Sequence, residues 1–199
     1  LDAGAEITLE ANPGTFEAGK FRGFREAGVN RLSIGIQSFN DAHLQALGRI
    51  HNAAEARRAI AIAQENFDNI NLDLMFALPQ QTLEECGRDV DTALSFGTSH
   101  LSVYHLTLEP NTLFHRFPPP LPDDDLAADL QELIETKLSD AGYAHYETSA
   151  YAKPRRECRH NLNYWRFGDY LGIGAGAHGK ISFPDRITRE TRLKQPQAF

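Results

Sequence analysis

Apolar and small residues alternate through residues 29–39, VNRLSIGIQSF, with Leu32, Ile34 and Ile36 in step. A period of two that opens after Gly28, a helix-stopping residue, predicts a short β-strand. Its last residues, Gln37 and Ser38, are polar, and an amide cannot end in an apolar core without partners. A buried strand that finishes this way points to a site at its carboxyl end.

The same design recurs along the chain. Residues 6–11, EITLEA, put Ile7 and Leu9 on one face and Glu10 on the other, and Asn12-Pro13-Gly14 stops the strand. Thr15 is a suitable N-cap for a helix to Ala27, with Phe16, Phe21 and Phe24 as its apolar stripe and Gly28 closing it. Asn40 caps a short helix through Leu47, followed by the loop Gly48-Arg49-Ile50-His51 and an Ala-rich helix over 53–66 carrying Ile60 and Ile62. The next strand, 70–78, is INLDLMFAL; it holds Asp73 between Leu72 and Leu74 and ends at Pro79. Thr82 caps a helix to Phe96 that Gly97 closes, and a fourth strand over 100–108 ends at Glu109-Pro110.

The order is therefore β-α-β-α-β-α-β, with Glu10, Gln37, Asp73 and Thr107 spaced by 27, 36 and 34 residues. Strands alternating with helices at this interval imply parallel βαβ units. Such sheets carry ligand sites beyond the carboxyl ends of their strands. These four residues are expected to converge on one rim. One polar residue at a strand end is more often a cap for its own turn; several in register favour a shared site.

After Thr112 the character changes. FPPPLPDDD, residues 117–125, is a proline-rich connector whose Asp residues suit a helix N-terminus. A helix over 126–141 shows Leu130, Leu133, Ile134 and Leu138 at helical spacing, with Gly142 ending it, and residues 143–151 read as one short strand. CRHNLNYW (158–165) and the glycine run LGIGAGAHG (171–179) follow, then a basic, polar tail from Lys180. The glycine run is not a dinucleotide fingerprint, having no clear strand before it or helix after it. It fits close backbone packing or approach to a flat ligand. HNLNYW gathers His160, Asn161, Tyr164 and the chain's one Trp. A lone His beside aromatics is more often structural than a ligand, yet the density of this cluster keeps the ligand reading open. The sequence holds no Ser-His-Asp triad, P-loop or H-E-x-x-H motif.

The 199 residues, 41 % of them hydrophobic, are enough to bury a real core. A net charge of −7 argues against non-specific nucleic-acid binding. No apolar run approaches a membrane span and no secretory signal is visible. Cys86 and Cys158 form neither a disulfide framework nor a C-x-x-C pair, which fits a reducing, cytoplasmic setting. The chain opens on Leu1 rather than Met, and Phe199 follows a polar, helix-like run. An internal fragment of a longer chain is expected.

Taken in order, ITLEANPGT, RLSIGIQSF, LGRIH, INLDLMFALPQQT, LSVYHLTLEPNT, HNLNYW and GIGAGAHG resemble the oxygen-independent coproporphyrinogen III oxidase-like branch of the radical S-adenosylmethionine (SAM) enzymes. The match runs from about Glu6 to Gly179. The resemblance implies an α/β fold, an incomplete (β/α)6 radical SAM barrel, TIM-like and truncated here to about four βα units, strands three to six. Part of an α+β C-terminal region would follow. In this scheme residues 1–116 are the partial barrel, 117–125 the connector and 126–199 the start of the C-terminal region. A barrel lacking its first two strands would expose a sheet edge, which invites aggregation.

The resemblance further implies that Glu10 binds the ribose hydroxyls of SAM, that Gln37, Arg49 and Asp73 match other SAM-contacting positions, and that Thr107 falls where the fourth strand approaches SAM. Arg49 would pair with the ligand's carboxylate or, in the plainer reading, with a surface acid. The C-x-x-x-C-x-x-C loop that holds the family's 4Fe–4S cluster is absent, and the ligand cysteines are expected upstream of Leu1, truncation explaining the gap better than degeneration. The chain as it stands is not expected to do radical chemistry alone. The HN-x-x-YW pattern at 160–165 resembles the haem-chaperone members, which implies haem as a further cofactor, His160 as axial ligand and haem-acceptor proteins as partners, with transient contact with membrane haemoproteins. Tyr146 and His178 are the weaker alternatives for the iron. Two other functions compete: oxidative decarboxylation of coproporphyrinogen III to protoporphyrinogen IX, and an unrelated (β/α)-barrel metabolic enzyme.

Overall fold

In the computed structural model, residues 2–15 and 18–198 are described. Packing divides them into two compact units, up to Glu157 and from Cys158 onward.

The first unit is built on a six-stranded sheet. β1 (Thr8–Ala11), β2 (Arg31–Gln37), β3 (Ile70–Phe76) and β4 (His100–His105) run parallel. Helices α1 (Ala18–Glu26), α2 (Asp41–Ala46), α3 (Ala53–Gln64) and α4 (Leu83–Ser95) make the crossovers. These are the βαβ units that the spacing predicts. Beyond β4 come a short α5 (Leu113–Arg116), then α6 (Asp124–Asp140), β5 (Ala144–Glu147) and β6 (Ala150–Ala152). The sheet order is β1-β2-β3-β4-β6-β5, with β6 antiparallel to β4 and to β5.

The period-two pattern assigns the faces. Leu32, Ile34, Ile36, Ile70, Leu72, Leu74, Leu101 and Val103 are buried in one apolar cluster with Phe21, Ile60, Val90, Leu130 and Ile134 from the helices and Phe67 from the loop after α3. Each such side chain removed from water contributes about 1.5–3 kcal/mol. The alternate residues, among them Glu10, Ser33, Gly35, Asn71, Asp73, His100 and Ser102, are in register with one another across the other face. That face is polar.

Several expectations shift. Phe16 lies outside the described residues; Phe21 is buried while Phe24 stays partly exposed, edge-on to it with ring centroids 6.1 Å apart. β4 stops at His105, leaving Thr107 in the following loop. The single strand expected over 143–151 is a hairpin, because Ser149 N–H bonds the Glu147 carboxylate and turns the chain. The proline connector marks no break in packing: α6 lies on the same core, and β6 pairs with β4, so residues 126–157 close one sheet edge.

In the second unit, α7 (Arg159–Trp165) is followed by an antiparallel pair, β7 (His178–Ser182) and β8 (Ile187–Thr191). The tail that reads as helix-like in sequence holds β8 and then a single 3-10 turn, Pro196–Ala198. The Lys180 ammonium, almost fully buried, bonds Asp169 at 2.9 Å and the Phe167 carbonyl at 2.9 Å. Among the glycines, a Cβ at Gly172 would stand 2.3 Å from the His178 carbonyl oxygen, so the run serves close backbone packing there.

Candidate functional site

The carboxyl ends of β1, β2 and β3 form the candidate site. Glu10 and Asp73 share the polar face: Glu10 is paired in register with Ser33, whose hydroxyl donates to Asp73 Oδ2 at 3.2 Å. Gln37 reaches the same place by a bulge. The β2–β3 register slips between Gly35 and Gln37, and Gln37 takes a left-handed φ of 69°. Its amide then lies over Gly35, where a Cβ would come within 3.0 Å of Gln37 Nε2 and 3.2 Å of Asn12 Oδ1. Gly35 is itself the register partner of Asp73. The absent Cβ is what lets the amide fold back onto this face.

The strained turn at Gln37 is fixed from outside the sheet. His51 Nε2 bonds the Ile36 carbonyl at 3.1 Å. Asp89, on α4, accepts from the Ser38 hydroxyl at 2.5 Å and the Phe39 N–H at 2.8 Å. Burial pushes the Asp89 carboxyl above its ordinary range, against the pull of these donors.

The loop with Arg49 meets this rim through its neighbour Ile50, whose Cδ1 would be 3.5 Å from a Cβ on Gly14, in the turn after β1. Arg49 is exposed, with no ion pair among the described residues. Thr107 is not brought into the group: it is exposed and its hydroxyl donates to Glu109 at 3.0 Å.

Behind Asp73 runs a polar network that sequence reading missed. Asn71 Nδ2 donates to Asp73 Oδ1 at 2.8 Å and to Ser33 Oγ at 2.7 Å. Asn71 Oδ1 faces His100 Nδ1 at 2.6 Å and accepts from Ser102 at 3.1 Å, while His100 Nε2 meets the Tyr146 hydroxyl at 2.7 Å. Burial raises the Asp73 carboxyl, opposed by its Asn71, Ser33 and Ser102 partners, with the Glu10 charge adding to the rise. Burial lowers the His100 imidazole to about 3, with Arg31 adding to the fall. The signal for these residues is the alternation itself, which sets Ser33, Asn71, Asp73, His100 and Ser102 opposite the apolar positions of β2, β3 and β4.

In the second unit, His160 is exposed on α7, its ring edge-on to Tyr164 with centroids 4.7 Å apart. Tyr164 and Trp165 are both exposed. His178 is exposed too, within 3.3 Å of the Thr191 hydroxyl, whereas Tyr146 belongs to the first unit and is engaged by His100.

Two carboxylates and an amide gathered beside Gly35 suit a ligand rich in hydroxyls and ammonium groups. They do not suit an iron–sulfur cluster. Cys86 and Cys158 are both buried, burial pushes the Cys86 thiol up to about 12, and no metal-holding group of three His, Cys, Asp or Glu occurs among the described residues. No helix among them is long and apolar enough to cross a membrane.

Comparison with known proteins agrees with this architecture. Residues 1–93 match the radical SAM superfamily. The heme chaperone HemW of Escherichia coli (strain K12) is 56 % identical over all of this chain, which spans 53 % of that protein. Radical S-adenosyl methionine domain-containing protein 1, mitochondrial, of Mus musculus is 45 % identical over 98 % of this chain and 46 % of its own length. This chain therefore spans about half the length of the curated relatives it matches. In structure it is similar to the Escherichia coli coproporphyrinogen III oxidase HemN, a radical SAM enzyme, with a TM-score of 0.81 and 22 % identity over 98 % of this chain and 48 % of that one. That likeness speaks for the fold alone. Radical SAM membership implies SAM and a 4Fe–4S cluster as cofactors of the intact protein. By its parallel βα sheet, its matched segment and the sequence similarity to these relatives, the chain belongs to the radical SAM superfamily.

Proposed function

We propose that the intact protein is a haem chaperone that holds SAM on the rim of Glu10, Gln37 and Asp73 and passes haem to acceptor proteins in the cytoplasm, membrane haemoproteins among them. The convergence of these three side chains on one polar face carries the reading. Glu10 accepts from the ligand's ribose hydroxyls, Asp73 and Gln37 engage its polar groups, and Arg49 meets its carboxylate; Thr107 contributes at most from the edge of the loop. The cluster, held by a segment outside these residues, supplies electrons for SAM chemistry in radical SAM proteins. In this reading the 1–116 segment is the partial barrel and 126–199 begins the oxidase-like C-terminal region, with 117–125 between them.

His160 is the axial ligand for haem, since an exposed imidazole edge-on to Tyr164, with Trp165 exposed on the same helix, offers a nitrogen and flat apolar surfaces. The names of the relatives at 56 % and 57 % identity, heme chaperones, support this choice over the oxidase. Glu10→Ala in the full-length protein removes a charged acceptor, a loss of about 1.5–3 kcal/mol or roughly ten- to a hundred-fold in affinity. Calorimetric titration with SAM reads this directly; an unchanged affinity takes Glu10 out of the site.

A further inference from the structure

We propose that His100 is a positioning residue for the Asp73 carboxylate, acting through the amide of Asn71. The inference rests on the reading that Asp73 contacts SAM, and adds how that carboxylate is held.

The donors in the network settle its direction. An ionised Asp73 only accepts, so the Asn71 group 2.8 Å from Oδ1 is its NH2. Asn71 Oδ1 then faces His100 Nδ1 at 2.6 Å, which requires that nitrogen to carry the proton. Nε2 is left as an acceptor for the Tyr146 hydroxyl 2.7 Å away. Every bond thus points one way, from Tyr146 to His100 to Asn71 to Asp73, across β5, β4 and β3. His100 is fully buried and Asn71 nearly so, where an unmade bond is costly. Without the Nδ1–H donor, the Asn71 carbonyl keeps only the longer Ser102 bond at 3.1 Å, and the Nδ2 donor to Asp73 Oδ1 is held less firmly in place.

The charged and titratable groups that face Asp73, or the His100 and Tyr104 side chains beside it, are Glu10 on β1, Arg31 on β2, Tyr104 and His100 on β4, and Tyr146 and Glu147 on β5. All but His100 are common to the variants at position 100, and His100 itself stays neutral near physiological pH. The effect on Asp73 therefore has one sign. A carboxyl deprived of donors rises further and takes up a proton at a higher pH, so a site that needs it ionised weakens first in acid.

The test is titration of SAM into the full-length, cluster-containing protein at about pH 6 and about pH 8.5, for wild type, His100→Phe, His100→Asn and Asp73→Asn. His100→Phe is expected to bind roughly ten-fold more weakly at the lower pH and to approach wild type at the higher, the size of one lost buried bond. His100→Asn restores a donor where Nδ1 stood and should recover most of the affinity. A loss equal at both pH values, or no rescue by Asn, reduces His100 to packing and overturns the inference. If Asp73→Asn binds SAM as wild type does, the SAM-site reading itself fails; if it weakens binding while His100→Phe does not, only the positioning role fails. Should His100→Phe not fold, Tyr146→Phe decides: weakening that vanishes at high pH supports the relay, and wild-type affinity at both pH values overturns it.

Discussion

The Ser38 hydroxyl donates to Asp89 Oδ2 at 2.5 Å across 51 residues of sequence, and the Phe39 N–H donates to the other oxygen at 2.8 Å. One buried carboxylate on α4 thereby fixes the turn that carries Gln37 into the site. Asp89→Ala strands two buried donors, each worth about 1–3 kcal/mol. The expected result is a denaturation midpoint lowered accordingly, together with weaker SAM binding, although Asp89 itself lies outside the rim. Unfolding and binding measured on the same full-length variant check this; undiminished affinity in a destabilised protein would separate the turn from the site.

Gly35→Ala probes the same turn from inside. The new Cβ would meet Gln37 Nε2 at 3.0 Å and Asn12 Oδ1 at 3.2 Å, so the flexible amide must move. A small loss of stability, about 1 kcal/mol, with a several-fold weaker SAM affinity is expected. Equal affinities of variant and wild type would show that the Gln37 amide is not part of the binding surface.

Acid should weaken the fold through His100. The folded protein holds this imidazole down to about 3 against an ordinary 6.5, burial being the main cause and Arg31 the second. The unfolded chain takes up the proton first, so stability declines as pH falls below 6.5 and goes on declining to about 3. By about pH 5 the loss is ~2 kcal/mol. Asp73 and Asp89 act oppositely: their raised carboxyls favour the folded state in acid, and that contribution fades as pH rises through their folded values. Chemical denaturation of wild type and His100→Asn cancels the carboxyl effects. Wild type should lose about 2 kcal/mol more than the variant between about pH 7 and 5, and parallel losses would contradict a buried neutral imidazole.

Much of the barrel was legible because its strands alternate strictly. Leu32, Ile34 and Ile36, or Leu72 and Leu74, could face a core only as strands, and Asn40, Thr82 and Gly97 marked helix ends where the structure has them. Glu10, Gln37 and Asp73 were legible as a group because a βαβ repeat returns each strand to the same rim. What escaped depended on distant partners. Asp89 sits on an amphipathic helix and reads as solvent-facing until the turn at Ser38 is seen beside it. Thr107 had the right spacing but lies two residues past the end of β4, where a local bond to Glu109 takes its hydroxyl. The turn at 147–149 was hidden because Glu147, Thr148 and Ser149 lack the Gly or Asn that usually marks a hairpin.

The haem reading is tested most directly by absorbance spectroscopy of haem added to the full-length protein, wild type against His160→Ala, alongside anaerobic incubation with coproporphyrinogen III under reducing conditions. A histidine-ligated haem spectrum is expected in wild type, with its loss in His160→Ala, SAM affinity retained, and no protoporphyrinogen IX. A wild-type spectrum in His160→Ala would contradict the assignment of the axial ligand, and formation of protoporphyrinogen IX would make the protein an oxidase instead.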